Sequence, residues 1–130
     1  MHQRVANTYR MGRVLLAGDS AHLNNPLGGM GMNSGIHDAW DASHKLVEIL
    51  RDGGSEKLLD LYDRQRRTVM HRHVQAQTIA NKQAMEARDP EQQARHREEM
   101  RRILADDGLR REFLLKQSLF TSLADAAAVT

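Results

Sequence analysis

Asp19 stands directly after the apolar run Arg13 to Ala17. It precedes a stretch in which Gly28, Gly29, Gly31 and Gly35 surround Met32 and Asn33, just after Pro26. These types in this order suit holding a ligand better than breaking a bond. Glycine lets a backbone approach a flat or charged ligand because no Cβ intervenes. An ionised carboxylate only accepts hydrogen bonds, so Asp19 at the end of a strand is suited to sugar hydroxyls. In open α/β sheets, ligands gather at the carboxyl ends of strands. A helix that starts after the glycines presents unpaired N–H groups and the positive end of its dipole. That end favours an anion or a carbonyl oxygen carrying partial negative charge.

Each residue also has a plainer use. Asp19 suits a turn or a helix cap, the glycines a loose loop, and Pro26 a simple turn. Met30 and Met32 suit either a pocket lining or ordinary packing. Other chemistries fit less well. The dinucleotide fingerprint G-x-G-x-x-G is incomplete, because Gly29 and Gly31 are followed by Ser34 where the third glycine belongs. No Gly-Lys-Ser/Thr follows to make a phosphate loop. There is no cysteine, hence no thiolate nucleophile, thiolate metal site or disulfide. His37 and His44, or His71 and His73, do not have the H-E-x-x-H pattern, so no metal site is expected. His22 reads as structural, bonded within its loop. No catalytic side chain is assigned.

The elements that must position these residues follow from periodicity. RVLLA at 13–17 reads as one short buried strand of parallel-sheet type, stopped by Gly18. A helix is predicted over about 33–50, with Ile36, Ala39, Trp40, Ser43, Val47 and Leu50 at three- and four-residue spacing as its core-facing stripe. Trp40 is expected in the core. Gly53-Gly54 ends the helix, and Ser55 caps a second one running to about residue 87. Its RQRR segment at 64–67 reads as a solvated face. Asp89-Pro90 opens a third helix to about residue 105. Gly108 breaks it, and a last helix carries Leu109 to Leu123 before a fraying tail.

Bulk properties narrow the function classes. The 130 residues carry 28% charged and 4% aromatic side chains and a net charge of +2. The basic residues are spread among nearly as many acids, so nucleic-acid binding is not expected. No apolar run reaches membrane-spanning length, and the first residues lack the apolar core of a signal peptide. A cytoplasmic protein is expected.

The stretch RVLLAGDSAHLNNPLGGMGMNSGIHDAWDASHKL closely resembles a flavin-binding motif of the class A, para-hydroxybenzoate hydroxylase-like monooxygenases. That pattern is a short strand, Gly-Asp-Ala/Ser-Ala-His, Pro, a glycine-rich turn with Asn, and a helix containing Asp-Ala. All its parts occur here in order, over about a quarter of the chain. The resemblance implies that Asp19 bonds the ribityl chain of FAD, that Gly18 keeps the turn tight, and that Pro26 lies near the isoalloxazine ring. It implies that Gly28, Gly29, Gly31, Met32 and Asn33 bring backbone groups to the ring. It implies that the helix carrying Asp38-Ala39 packs beneath.

The implied activity is hydroxylation of a phenolic or related aromatic substrate with NADH or NADPH and oxygen. The implied fold is α/β, a Rossmann-like FAD domain plus a substrate domain, of which this chain is a mostly helical C-terminal part. Residues 1–54 are expected to finish the FAD domain and residues 55–130 to form a helical region. The G-x-G-x-x-G unit for the ADP part of FAD is not in these residues, so a missing N-terminal FAD-binding half is an expected partner. Alternatives are a related FAD-dependent halogenase or reductase, or a non-catalytic helical interaction module.

Overall fold

Glycine at a sharp reversal sets the first element pair. Gly12 has φ 61°, a conformation side chains resist. It turns the chain between β2 (Arg10–Met11) and β3 (Val14–Leu15), which pair antiparallel with Arg10 opposite Leu15. A second ribbon pairs β1 (Arg4–Val5) with β4 (His22–Leu23), also antiparallel. The computed structural model describes residues 3–86 and 88–130. Among these, the protein is mostly helical with short N-terminal strands, as the fold class required. The run at 13–17 is shorter and more open than a buried parallel strand: Val14 is 60% exposed, and its partner is the adjacent hairpin arm.

α1 (Met30–Asp52) starts three residues earlier than periodicity suggests and ends at Gly53, whose φ of 71° closes it. α2 (Lys57–Val69) continues through a π-helical turn at Met70–Gln75 into α3 (Ala76–Glu86). Ser55 Oγ accepts the Lys57 N–H at 3.2 Å, so it caps the start of this rod. Asp89 caps α4 (Pro90–Ala105) by accepting the Glu91 N–H at 3.0 Å, with Pro90 in the first turn.

The next break falls at Asp106, not at Gly108. Asp106 accepts the Leu109 N–H at 2.9 Å and opens α5 (Asp107–Gln117), which contains Gly108. The final helix is also divided. Leu119, at φ 65°, separates α5 from α6 (Phe120–Ala127). The tail is held rather than frayed, since Ala126 packs in a core cluster with Met30, Val69, Met70, Val74 and Leu119.

A second cluster joins Tyr9, Ala21 and Tyr62, flanked by Leu15, Leu16 and Ala42. It ties the strand ribbons to α1 and α2, and the Gly18 turn lies beside it. No helix among the described residues is long and apolar enough to cross a membrane.

Two expected faces are reversed. Met32, Ile36, Trp40, Val47 and Leu50 all lie on the outer side of α1, with Trp40 68% exposed against His44. The inward side carries Met30, Ser34 and Asp38. On α2, Gln65 and Arg66 of the RQRR run are buried. Each buried polar group has partners: Asp38 accepts Arg66 Nε at 2.7 Å, and Gln65 accepts Lys45 Nζ at 2.8 Å and donates to the Val129 carbonyl at 3.1 Å.

Candidate functional site

The Gly18 turn is a single tight helical turn at Gly18–Ser20. The Ala21 N–H closes it on the Gly18 carbonyl at 2.8 Å, and Ser20 Oγ donates to the Ala17 carbonyl at 2.8 Å. Gly18 has φ 60°. Its Cα faces Gly35 of α1 so closely that a Cβ on Gly35 would stand 3.1 Å away. Glycine is therefore favoured at both positions, at Gly18 by its backbone conformation and at Gly35 by the close approach. Asp19, in the middle of the turn, is exposed and takes no hydrogen bond or ion pair from the described residues.

What holds the turn is Asp38, itself fully buried. Its Oδ2 accepts the Gly18 N–H at 3.0 Å and lies 2.7 Å from His22 Nε2; its Oδ1 accepts Arg66 Nε at 2.7 Å. A carboxylate only accepts, so His22 carries its proton on Nε2. Its Nδ1 is then left facing Asn24 Nδ2 at 3.5 Å. Burial alone would push the Asp38 carboxyl up. The bonds from His22 and Arg66, the Arg66 charge and the Gly18 N–H outweigh it and hold the group below its ordinary value. Burial, then the nearby Asp38 charge, raises the phenols of Tyr9 and Tyr62, so both stay protonated. Tyr62 uses its hydroxyl to donate to the Leu16 carbonyl at 2.7 Å. Burial, then the Arg66 charge, lowers His37 against the opposite pull of Asp38.

The second part of the site is the loop into α1. Asn25 is buried; it donates to the Thr78 carbonyl at 3.1 Å and accepts the Leu27 N–H at 3.1 Å. The Gly29 N–H then closes a turn on the Pro26 carbonyl at 3.2 Å, with Gly28 at φ 99°. Pro26, Gly28, Gly29, Met32 and Asn33 are exposed, and Gly31 is half-buried. A Cβ on Gly28 would strike Asn81 Nδ2, whereas Cβ atoms on Gly29 or Gly31 would meet open space. α1 begins with no side-chain cap and no acidic residue in its first turn. Its leading N–H groups and dipole end are thus left for a ligand. Asn33 Nδ2 turns back to the Gly29 carbonyl at 3.1 Å, which leaves those N–H groups uncovered. Beside Gly28 an open cleft of about 680 Å³ continues past Asn81, Met85, Met100, Phe113 and Lys116.

These features fit a flavin. A free carboxylate, a close glycine crossing and an uncapped helix start with open space over its glycines are what a ribityl chain and an electron-rich ring require. Met30 leaves the set, since it packs in the core while Met32 remains outside. Among the described residues no group of histidines and acids is arranged to hold a metal.

Sequence reasoning missed Arg66 and the depth of Asp38. A signal was present: Arg66 falls in register with Leu59, Tyr62 and Val69, the buried row of α2.

Known proteins place the chain. A family model described as an FAD binding domain matches residues 1–77. Para-nitrophenol 4-monooxygenase of Pseudomonas sp. (strain WBC-3) is 38% identical over 115 residues, which are 88% of this chain and 28% of that protein. 6-hydroxy-3-succinoylpyridine 3-monooxygenase HspB of Pseudomonas putida (strain DSM 28022 / S16) is 46% identical over 67 residues, 52% of this chain and 17% of that protein. The crystal structure of p-nitrophenol 4-monooxygenase PnpA from Pseudomonas putida DLL-E4 superposes with a TM-score of 0.83 at 38% identity, covering 90% of this chain and 30% of that one. The chain therefore spans less than a third of the length of these relatives. By its matched residues and its fold, the chain belongs to the FAD binding domain family, among the class A aromatic-ring monooxygenases.

Proposed function

We propose that this chain supplies the ribityl and ring side of the FAD site in a monooxygenase that hydroxylates a phenolic or related aromatic compound, using NADH or NADPH and oxygen. The observation that carries this is Asp19: a carboxylate with no hydrogen bond or ion pair among the described residues, fixed in a braced turn beside an uncapped helix start. Asp19 accepts ribityl hydroxyls, and Gly18 lets the chain pass against Gly35. Pro26 borders the ring. Gly28, Gly29, Gly31, Met32 and Asn33 offer backbone groups to its polar edge, where the α1 dipole favours negative charge. Bound FAD supplies hydride acceptance and oxygen transfer. The protein's part is placement and electrostatics, so no side chain here is assigned as catalytic. The cleft beside Gly28, with Met85, Met100 and Phe113 in its walls, offers apolar surface to an aromatic substrate. The names of the relatives, which act on a nitrophenol and a hydroxylated pyridine, support that substrate class.

On this reading residues 1–54 complete the FAD domain and residues 55–130 form the helical region that braces it. The adenine and pyrophosphate side belongs, on this reading, to an N-terminal FAD-binding half bearing G-x-G-x-x-G, the proposed partner of these residues. A cytoplasmic location, where NADH and NADPH are available, belongs to the same reading.

Titration of the ¹⁵N-labelled chain with FMN and with FAD tests the assignment. Both flavins are expected to bind weakly, to shift the amides of Gly18, Asp19, Gly29 and Gly31 at high concentration, and to do so with equal affinity, because these residues offer nothing to the ADP part. Binding of FAD at least tenfold tighter than FMN, or shifts confined elsewhere, would contradict it.

A further inference from the structure

We propose that Asp38 and Arg66 form a positioning pair for the cofactor turn: Asp38 fixes Gly18, and through it Asp19, while Arg66 holds the Asp38 carboxylate in place. This rests on the flavin reading of Asp19.

The geometry sets the roles. Asp38 spends one oxygen on Gly18 N–H and His22, and the other on Arg66. Both members of the pair are buried, Asp38 at 0% and Arg66 at 3% exposure. Among the described residues the Gly18 N–H makes the one backbone hydrogen bond from this cluster into the turn, and Asp19 is the next residue. The contact spans three elements, since Asp38 lies on α1, Arg66 on α2 and Gly18 after β3. A shift of either helix is therefore passed to the turn.

Two acceptor oxygens serving three donors make the carboxylate hard to replace. An amide at position 38 offers one oxygen and one N–H₂ group. If its oxygen keeps Gly18 and His22, its N–H₂ faces the Arg66 Nε–H, donor against donor. A glutamine at position 66 repairs this, because its terminal amide atoms sit at the same bond count as Arg66 Nε. Its oxygen can accept from the amide at position 38. The neutral pair D38N/R66Q then restores every bond without any charge.

Four proteins test this: wild type, D38N, D38N/R66Q and V69A. Val69 is buried in the other core cluster, so V69A reports general destabilisation. Each is titrated with FMN, and amide hydrogen exchange is followed at Gly18 and Ala21. D38N is expected to speed exchange at Gly18 selectively and to weaken FMN binding at least tenfold. V69A is expected to do neither, although it melts earlier, and D38N/R66Q to return FMN affinity to within threefold of wild type. The proposal is overturned if D38N binds FMN as wild type does, if V69A weakens binding as much as D38N, or if the double variant stays as weak as the single. Should D38N fail to fold, the folded double variant decides: affinity within threefold supports the pair and a tenfold loss overturns it. Failure of the flavin reading itself looks different, since FMN then leaves all of these proteins, wild type included, unshifted.

Discussion

Asp19 and Asp38 are both acids within the same motif, yet their environments separate them. Asp19 is exposed and partnerless; Asp38 is buried with three donors. Replacing Asp19 with alanine removes no internal contact, so stability should change by no more than about 0.5 kcal/mol. Loss of the proposed bonds to ribityl hydroxyls, at about 1.5–3 kcal/mol for bonds to a charged group, should weaken FMN binding roughly tenfold or more by titration. Asp38 behaves in the opposite way. Removing its charge strands Arg66 and should cost about 3–5 kcal/mol in chemical denaturation. Its folded pKa lies below the ordinary value of 3.8. Its contribution is therefore complete above that value and is lost as pH falls through the folded one. The stability gap between wild type and D38N should stay level from neutral pH to about 5 and close only in stronger acid. A gap that closes between pH 7 and 5 would assign the effect to another group. Residue types and order were enough to single out Asp19 and the glycines. The partners of Asp38 were not legible, because Arg66 lies 28 positions away and only the packing of α2 on α1 brings it close.

At the scale of elements, the site is a crossing between a turn and a helix. Gly35 meets Gly18 so closely that a methyl there would stand 3.1 Å from the Gly18 Cα and push the turn by a few tenths of an ångström. Gly35→Ala forces the turn away from α1, and overpacking of this kind costs about 1–3 kcal/mol. Melting should fall accordingly, and FMN binding should fall with it because the turn carries Asp19. A G35A protein that melts like wild type would show that the crossing is looser than its spacing. Tyr62 holds the same turn from the α2 side by its bond to the Leu16 carbonyl. Tyr62→Phe keeps the ring and loses only that bond, so about 0.5–1.5 kcal/mol of stability should go, measurable by urea unfolding. Helix spacing and caps made most helices legible: Gly53 as a stop and Asp89-Pro90 as a start are local chemistry. The breaks at Asp106 and Leu119 were less so. Gly108 looks like a breaker, but Asp106 captures the Leu109 N–H first, and a leucine in a left-handed conformation leaves no sequence mark.

For the whole molecule, the outer face of α1 is the feature that needs a counterpart. Met32, Ile36, Trp40, Val47 and Leu50 fall within one side of the helix and are 46–79% exposed. Their spacing reads as a core stripe, and as a property of the sequence that reading is sound. The inward row is occupied by Ser34 and Asp38, and the apolar row has little cover among the described residues. Burying an exposed side chain of this size contributes about 1.5–3 kcal/mol, enough in sum for a stable contact. The chain spans 28% of the length of para-nitrophenol 4-monooxygenase, and the proposed N-terminal FAD-binding half is the occupant to test. Trp40 is the single tryptophan, and its ring is open to solvent apart from His44, with centroids 4.3 Å apart. Alone, the protein should therefore emit as a water-exposed indole. Adding an N-terminal half from a relative, with FAD present, should shift that emission to the blue. I36D/L50D places two charges on the stripe without touching the inner row. It should leave melting of the isolated chain within about 0.5 kcal/mol and abolish the shift. A blue shift that depends on protein concentration before any partner is added would instead assign the stripe to a second copy of this chain, and an unchanged response in I36D/L50D would remove α1 from the contact.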